Sequence, residues 1–305
     1  MTTTLIAVDF EADDAAERFT ASLRDTGFGV LQNHPIDQDK VNRIYREWNA
    51  FFTSPEADKE RWLFDPARHD GFFPRAKAET AKGHGVRDIK EYYHYYPWGR
   101  VPEPLAEAVE NYYRSTVAFA STLLSWVEQH SPADVAANYR EPLSNMIEGS
   151  DQSLLRILYY PPLHEDEQLE PGAIRAAAHE DINLLTVLPA ANEPGLQVLD
   201  KDGNWLDVPC EFGNLIINIG DMLQEASGGY FPSTTHRVVN PAGADASRAR
   251  ISLPLFLHPR PEVVLSDRYT AGSYLAERLE ELQRSDRRDT SDTSDTSDTS
   301  DTKTD

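Results

Sequence analysis

Two short pieces of the chain, His179-Glu180-Asp181 and His236, carry residue types that could ligate a ferrous iron. Two imidazoles and one carboxylate can cap one face of an octahedral metal and leave the opposite face open to a co-substrate and O2. Downstream, Arg250-Ile251-Ser252 opens an apolar run and is the sole Arg-x-Ser triple in the sequence. A cation and a hydroxyl placed together suit a carboxylate-bearing co-substrate. Alternation along a strand would set positions 250 and 252 on one face. An arginine facing inward from an apolar strand needs a partner, either such a ligand or an internal salt bridge.

The His-x-Asp pattern is weak by itself. With 9 His and 27 Asp in 305 residues, chance supplies about one such triple, and the chain has a second in His164-Glu165-Asp166. Context separates them. The earlier triple follows Pro161-Pro162 and precedes Pro171-Gly172, which is loop chemistry and reads as a solvated acidic turn. The later one runs from three alanines into Leu184-Leu185-Thr186-Val187-Leu188, an apolar stretch suited to a buried strand. Metal ligands need rigid backbone, so the later triple is selected.

The elements that must position these residues fall into two regions. Ala15, Phe19 and Leu23 recur four apart between Phe10 and Asp25, and a second helix is expected from Val41 to Phe52. Residues 65–104 read as irregular, and the spacing of Leu105, Val109, Tyr112, Thr116, Phe119, Leu123 and Val127 predicts a long helix. From about residue 153, short apolar runs alternate with turns such as Asp202-Gly203-Asn204. Many short strands at this spacing indicate a sandwich or barrel rather than a parallel sheet with crossover helices. Helix returns at Tyr274–Arg284, and the Thr-Ser-Asp repeat beyond it has no apolar residue and is expected to be disordered. The expected division is 1–130, an N-terminal helical region; 150–285, the strand-rich region; and 286–305, an acidic tail.

The formal net charge of −22 argues against nucleic acid or an anionic membrane as a partner. Two readings of that charge compete: adaptation to a salty cytoplasm, where salt screens self-repulsion, or compositional bias with a solvated surface. No apolar stretch is long enough to span a membrane. A single cysteine, Cys210, fits a reducing, cytoplasmic compartment. The oligomeric state is not legible. Gly27 and Gly29 lack the third glycine of a dinucleotide loop.

In order and spacing, these segments resemble the isopenicillin N synthase-like group of 2-oxoglutarate (2OG) and Fe(II)-dependent dioxygenases. The matching pieces are Tyr159-Tyr160-Pro161-Pro162, His179-Glu180-Asp181, Gly195-Leu196-Gln197-Val198, Asn218-Ile219-Gly220-Asp221, Thr235-His236-Arg237-Val238 and Arg250-Ile251-Ser252, with Gly27-Phe28 and Asn33-His34 in the first half. The resemblance implies a mainly β double-stranded β-helix (jelly roll) flanked by helices, with an N-terminal α-rich region. It implies His179, Asp181 and His236 as iron ligands, and Arg250, Ser252 and Tyr160 as the grip on the distal carboxylate of 2OG. The implied cofactors are Fe(II), 2OG and O2. The implied reaction oxidises a small molecule by hydroxylation, desaturation or cyclisation, releasing succinate and CO2. Many relatives carry Asn where this chain has Leu158, and the approach to His236 looks one residue longer at Phe231-Pro232. Isopenicillin N synthase itself has a similar Arg-x-Ser pair but uses no 2OG, so an iron oxidase without 2OG is the alternative.

The stretch Tyr92-Tyr93-His94-Tyr95-Tyr96 is either part of a substrate pocket or packing between helices and sheet. His34 and His258, beside prolines at strand ends, read as structural or surface residues.

Overall fold

The computed structural model of the chain describes residues 5–75, 90–162, 174–190, 195–239 and 249–292. The first half comprises β1 (Ala7–Asp9), α1 (Ala15–Thr26), β2 (Phe28–Gln32), α2 (Gln38–Phe52), α3 (Glu56–Glu60), β3 (Gly71–Phe73), β4 (Glu91–Tyr95) and α4 (Glu103–Gln129). Short helices α5 (Ala133–Ala136) and α6 (Leu143–Met146) lead into β5 (Leu154–Tyr160), β6 (Ile174–His179), β7 (Leu185–Pro189), β8 (Leu196–Leu199), β9 (Trp205–Asp207) and β10 (Leu215–Ile219). After α7 (Asp221–Ala226) come β11 (His236–Val239), β12 (Arg250–Ser252), β13 (Leu255–Leu257) and α8 (Ala271–Asp292).

The strands form two sheets. The large one runs β1-β2-β10-β7-β13-β5-β4-β3, with β12 also paired to β5, and the small one runs β6-β11-β8-β9. Strand alternation gives the large sheet two different faces. Leu31, Leu185, Val187, Leu215, Ile217, Ile219, Ile251 and Leu255 join the main core with the helices. Phe28, Val30, Leu188 and Ile216 instead pack with Leu196 and Val198 of the small sheet. The second face is therefore the inner one, and the polar residues that alternate with the core set point toward the small sheet. This is the jelly-roll architecture that the sequence implied.

Helices cover the outer face. α2 buries Val41, Ile44, Trp48 and Phe52, one stripe at helical spacing, and Asp37 caps its start by accepting from the Asp39 backbone N–H. Trp48 and Ile44 are wholly enclosed, and each such side chain contributes about 1.5–3 kcal/mol by leaving water. α4 buries the seven residues whose spacing predicted it.

The N-terminal region is α-rich, as expected, and also lends β1 to β4 to the large sheet. Two expectations need correction. β4 lies inside the stretch read as irregular; with Tyr93 and Tyr95 in the core and Tyr92 also buried, it has no apolar–polar alternation to betray it. α8 continues to Asp292, past Arg284 and into the segment expected to be disordered. Only Arg287 and Arg288 there are good helix formers, but propagation is easy once a helix is nucleated. The earlier His164-Glu165-Asp166 triple lies outside the described residues.

One glycine fixes how the sheet meets α7. A Cβ on Gly220 would sit 2.1 Å from the Asn183 carbonyl oxygen and 2.3 Å from its side-chain oxygen. Gly220→Ala is expected to destabilise the protein by about 1–3 kcal/mol, the usual overpacking cost. Urea unfolding measures it, and a midpoint equal to the parent's would show that the contact relaxes freely.

Candidate metal centre

His179 ends β6 and His236 begins β11, and the two are direct partners in the antiparallel register. Directly opposed residues hold their Cβ atoms about 5 Å apart, so the pairing itself brings the imidazoles together, with ring centroids 4.4 Å apart. In each ring the Nδ1–H donates to a backbone carbonyl two residues upstream: His179 to Ala177 at 2.7 Å and His236 to Thr234 at 3.1 Å. A carbonyl only accepts, so Nδ1 carries the proton and Nε2 keeps its lone pair. Burial pushes the His236 pKa below its usual value, which favours the neutral, ligating form. Phe28 of β2 packs edge-on against the His236 ring, so an N-terminal strand helps to set that ring. Thr235 donates to Glu180, tying the two histidine segments together.

Asp181 completes the cluster. Its Oδ1 lies 3.7 Å from His179 Nε2 and 3.8 Å from His236 Nε2. Its Oδ2 accepts from Asn218 at 2.8 Å and from the Thr186 hydroxyl. Asn218 and Thr186 are paired across β10 and β7 and both face inward, so the sheet register places the two donors side by side. Asn183 donates to the Thr186 hydroxyl oxygen, and backbone N–H groups of Asp221 and Met222 at the start of α7 bond the carbonyls of residues 181–183. Burial alone would raise the Asp181 pKa; the two imidazoles and the Asn218 and Thr186 hydrogen bonds outweigh it and hold the carboxyl below its usual range. The carboxylate is thus ionised, with one oxygen anchored and the other turned to the histidines.

These three residues offer ligand atoms within 4.8 Å of one another, the one such cluster among the described residues. Two neutral Nε2 atoms and one anionic oxygen suit a divalent iron. His236 and Asp181 are buried while the His179 side chain is 46% exposed, so the cluster opens on the His179 side. Asn218 and Thr186 are expected to matter nearly as much as the ligands they orient. Asn218→Ala or Thr186→Val should weaken metal affinity about 10–100-fold, read by anaerobic Fe(II) titration; unchanged affinity would mean that Asp181 needs no such support.

The other predicted group sits on the same inner face. Arg250 pairs with Tyr160 and Ser252 with Leu158 across β12 and β5, while Ile251 points into the core. Arg250, Ser252 and Tyr160 are therefore neighbours, as the alternation required. Cys210 lies near enough for the Arg250 charge to pull down its thiol pKa, although burial raises it overall. Leu158, the departure from relatives, lies between Ser252 and Tyr92 in register.

Sequence reasoning missed part of this face. Tyr92 and His94 of β4, Arg156 of β5 and Phe256 of β13 also project from it, whereas Tyr93 and Tyr95 go to the helical core. Lys90 is buried near the Tyr92 ring. His258, read from sequence as a plain structural or surface residue, follows Phe256 at the alternating position and has an enclosed ring nitrogen.

The fold recurs in solved structures. A solved structure from Shewanella oneidensis, classed as an oxygenase, is 60% identical, covers 92% of this chain and 99% of its own, and superposes with a TM-score of 0.84. A Caulobacter crescentus structure classed in the 2OG-Fe(II) oxygenase family is 30% identical over 92% of this chain and all (100%) of its own, with a TM-score of 0.78. The chain belongs to the 2OG-Fe(II) oxygenase superfamily. The profile of that superfamily matches residues 151–259, and that of the N-terminal region of non-haem dioxygenases in morphine synthesis matches residues 5–115. Among curated relatives, gibberellin 2-beta-dioxygenase 2 of Arabidopsis thaliana is 27% identical over 262 residues, 83% of this chain and 73% of its own length. This 2OG-Fe(II) oxygenase is a dioxygenase whose cofactors are Fe(II), 2OG and O2, and it couples substrate oxidation to release of succinate and CO2. Among its described residues no helix is long and apolar enough to cross a membrane.

Proposed function

We propose that His179 Nε2, Asp181 Oδ1 and His236 Nε2 hold the Fe(II), and that Arg250, Ser252 and Tyr160 grip the distal carboxylate of 2OG. The observation that carries this is the Asp181 carboxylate, with Oδ2 tied to Asn218 and Thr186 and Oδ1 beside both Nε2 atoms. Bound there, the metal supplies O2 activation coupled to 2OG decarboxylation. The protein's own work is placement. The tautomers fixed at Ala177 and Thr234 aim the nitrogens, and the sheet register fixes the carboxylate. The planar Arg250 guanidinium can bind a carboxylate through two parallel hydrogen bonds, which sets the co-substrate's orientation as well as its affinity.

The substrate is a small molecule held against the inner face of the large sheet. Hydroxylation is the default outcome; desaturation or ring closure would follow from a different placement of the reactive C–H bond, where small displacements matter. Residues 1–130 back the catalytic region of 150–285. A cytoplasmic setting agrees with a ferrous metal, a metabolic co-substrate and one cysteine.

Anaerobically purified Fe(II) protein given 2OG and O2 is expected to release succinate, and more of it when a substrate is present. Absence of succinate above background across a metabolite library would instead favour an oxidase in which Arg250 holds the substrate's own carboxylate.

A further inference from the structure

Two of the three proposed iron ligands lean on one turn of the N-terminal region, the one that joins α1 to β2. Gly27 closes α1 in the left-handed region, with φ +74°, and donates its backbone N–H to the Leu23 carbonyl. Its own carbonyl accepts from Ile219, which fixes the turn to the end of β10. A Cβ at this position would fall on the Thr234 hydroxyl and lie 2.7 Å from the Pro232 carbonyl oxygen. The bare glycine backbone is thus what lets the turn press on the segment that delivers His236. Thr234 is also the residue whose carbonyl accepts the His236 Nδ1–H. The turn therefore backs the group that fixes the tautomer of this ring.

Phe28 carries the support further. It is 1% exposed, and its ring meets the His236 imidazole with 5.4 Å between centroids and 74° between planes, an arrangement that aromatic pairs prefer. An imidazole held by one hydrogen bond can still tilt about that bond. A second ring packed across it removes the freedom. Phe28 is also the register partner of Asn218 across β2 and β10. Asn218 donates to Asp181 Oδ2, so a displaced start of β2 would move the donor that aims a second ligand.

We infer that Gly27 and Phe28 are positioning residues for the iron, so that the N-terminal region completes the metal centre rather than merely covering it. The inference rests on the proposed ligand set. Groups that orient a ligand govern how well its lone pair is aimed, and the apolar shell around a site governs the entry of water. Both are lost at His236 when the Phe28 ring is removed.

The test uses the full chain without O2, with Co(II) as a spectroscopic stand-in for Fe(II), so that metal binding is read apart from turnover. Two quantities are measured: the dissociation constant by titration, and the ligand-field absorption bands, which report donor geometry. Phe28→Ala should weaken Co(II) binding about tenfold, the lower end for residues that only orient a ligand, and should shift the bands. Phe28→Leu refills most of the space; it should lie between Phe28→Ala and the parent in both quantities, and it carries the test if the alanine variant does not fold. Gly27→Ala should also shift the bands, because its Cβ displaces the Pro232–Thr234 segment and its φ no longer suits the residue. The control is Ile44→Ala, which truncates a wholly enclosed residue of α2 in the helical core. It should lower the melting temperature at least as far, yet keep affinity within twofold of the parent's and leave the bands unmoved. Parental affinity and bands in the Phe28 variants, or equal losses in Ile44→Ala, would overturn the inference. A parent that binds no Co(II), or a His236→Ala protein that binds it as well as the parent, would instead count against the proposed ligand set.

Discussion

His236→Ala is expected to leave a folded protein that no longer retains iron, with succinate release at background. The loss should exceed the 10–100-fold typical of residues that only orient a ligand, because one of three donors disappears. The two histidines need not be equal. The His236 side chain is 9% exposed and its ring is set by Phe28 and the Thr234 carbonyl, whereas that of His179 is 46% exposed. An exposed position can be filled in part by water, so His179→Ala should keep more affinity than His236→Ala. Asp181→Ala should be the most damaging, since it also leaves the Asn218 amide and the Thr186 hydroxyl buried beside a cavity. Metal content after anaerobic loading and desalting, with circular dichroism as the folding control, measures all three. A His236→Ala protein that keeps one iron per chain would reject the assignment.

What the sequence conveyed follows from where period and chemistry coincide. The long helix α4 was legible because its buried stripe repeats at helical spacing over 27 residues. The proposed metal ligands were legible because one of the two His-x-Asp triples runs directly into a buried strand, β7. The partners of Asp181 were not. Thr186 and Asn218 are ordinary polar residues inside apolar strands, and only the β7–β10 register shows that they share a face with the carboxylate. Arg156 was missed for the same reason. It stands among alternating Leu, Ile and Tyr, and only the register with β4 and β13 shows that it faces inward between Tyr92 and Phe256. β4 itself failed as a sequence reading because a strand with both faces covered loses the alternation that marks a half-exposed one.

Arg250→Ala is expected to raise the 2OG concentration needed for half-maximal succinate release by roughly 30-fold or more, the consequence of removing one partner of a buried, charge-assisted pair. Iron should bind as in the parent, because Arg250 stands on β12 and is not one of the three donors. Ser252→Ala and Tyr160→Phe each remove a neutral hydroxyl, so each should cost only about 0.5–1.5 kcal/mol, or a few-fold in 2OG affinity. Arg250→Lys keeps the charge but loses the two parallel bonds, and should lie between these limits. The order Arg250→Ala, Arg250→Lys, then the hydroxyl variants is itself diagnostic. A purely structural arginine would lower the melting temperature in the same order while leaving the 2OG requirement of the surviving protein unchanged. A carboxylate grip moves the 2OG requirement and leaves saturated turnover largely intact, since the grip holds the far end of the co-substrate. An Arg250→Ala enzyme with parental 2OG dependence would transfer the role to another cation on this face, and Lys90, buried near the Tyr92 ring, would be the next to replace.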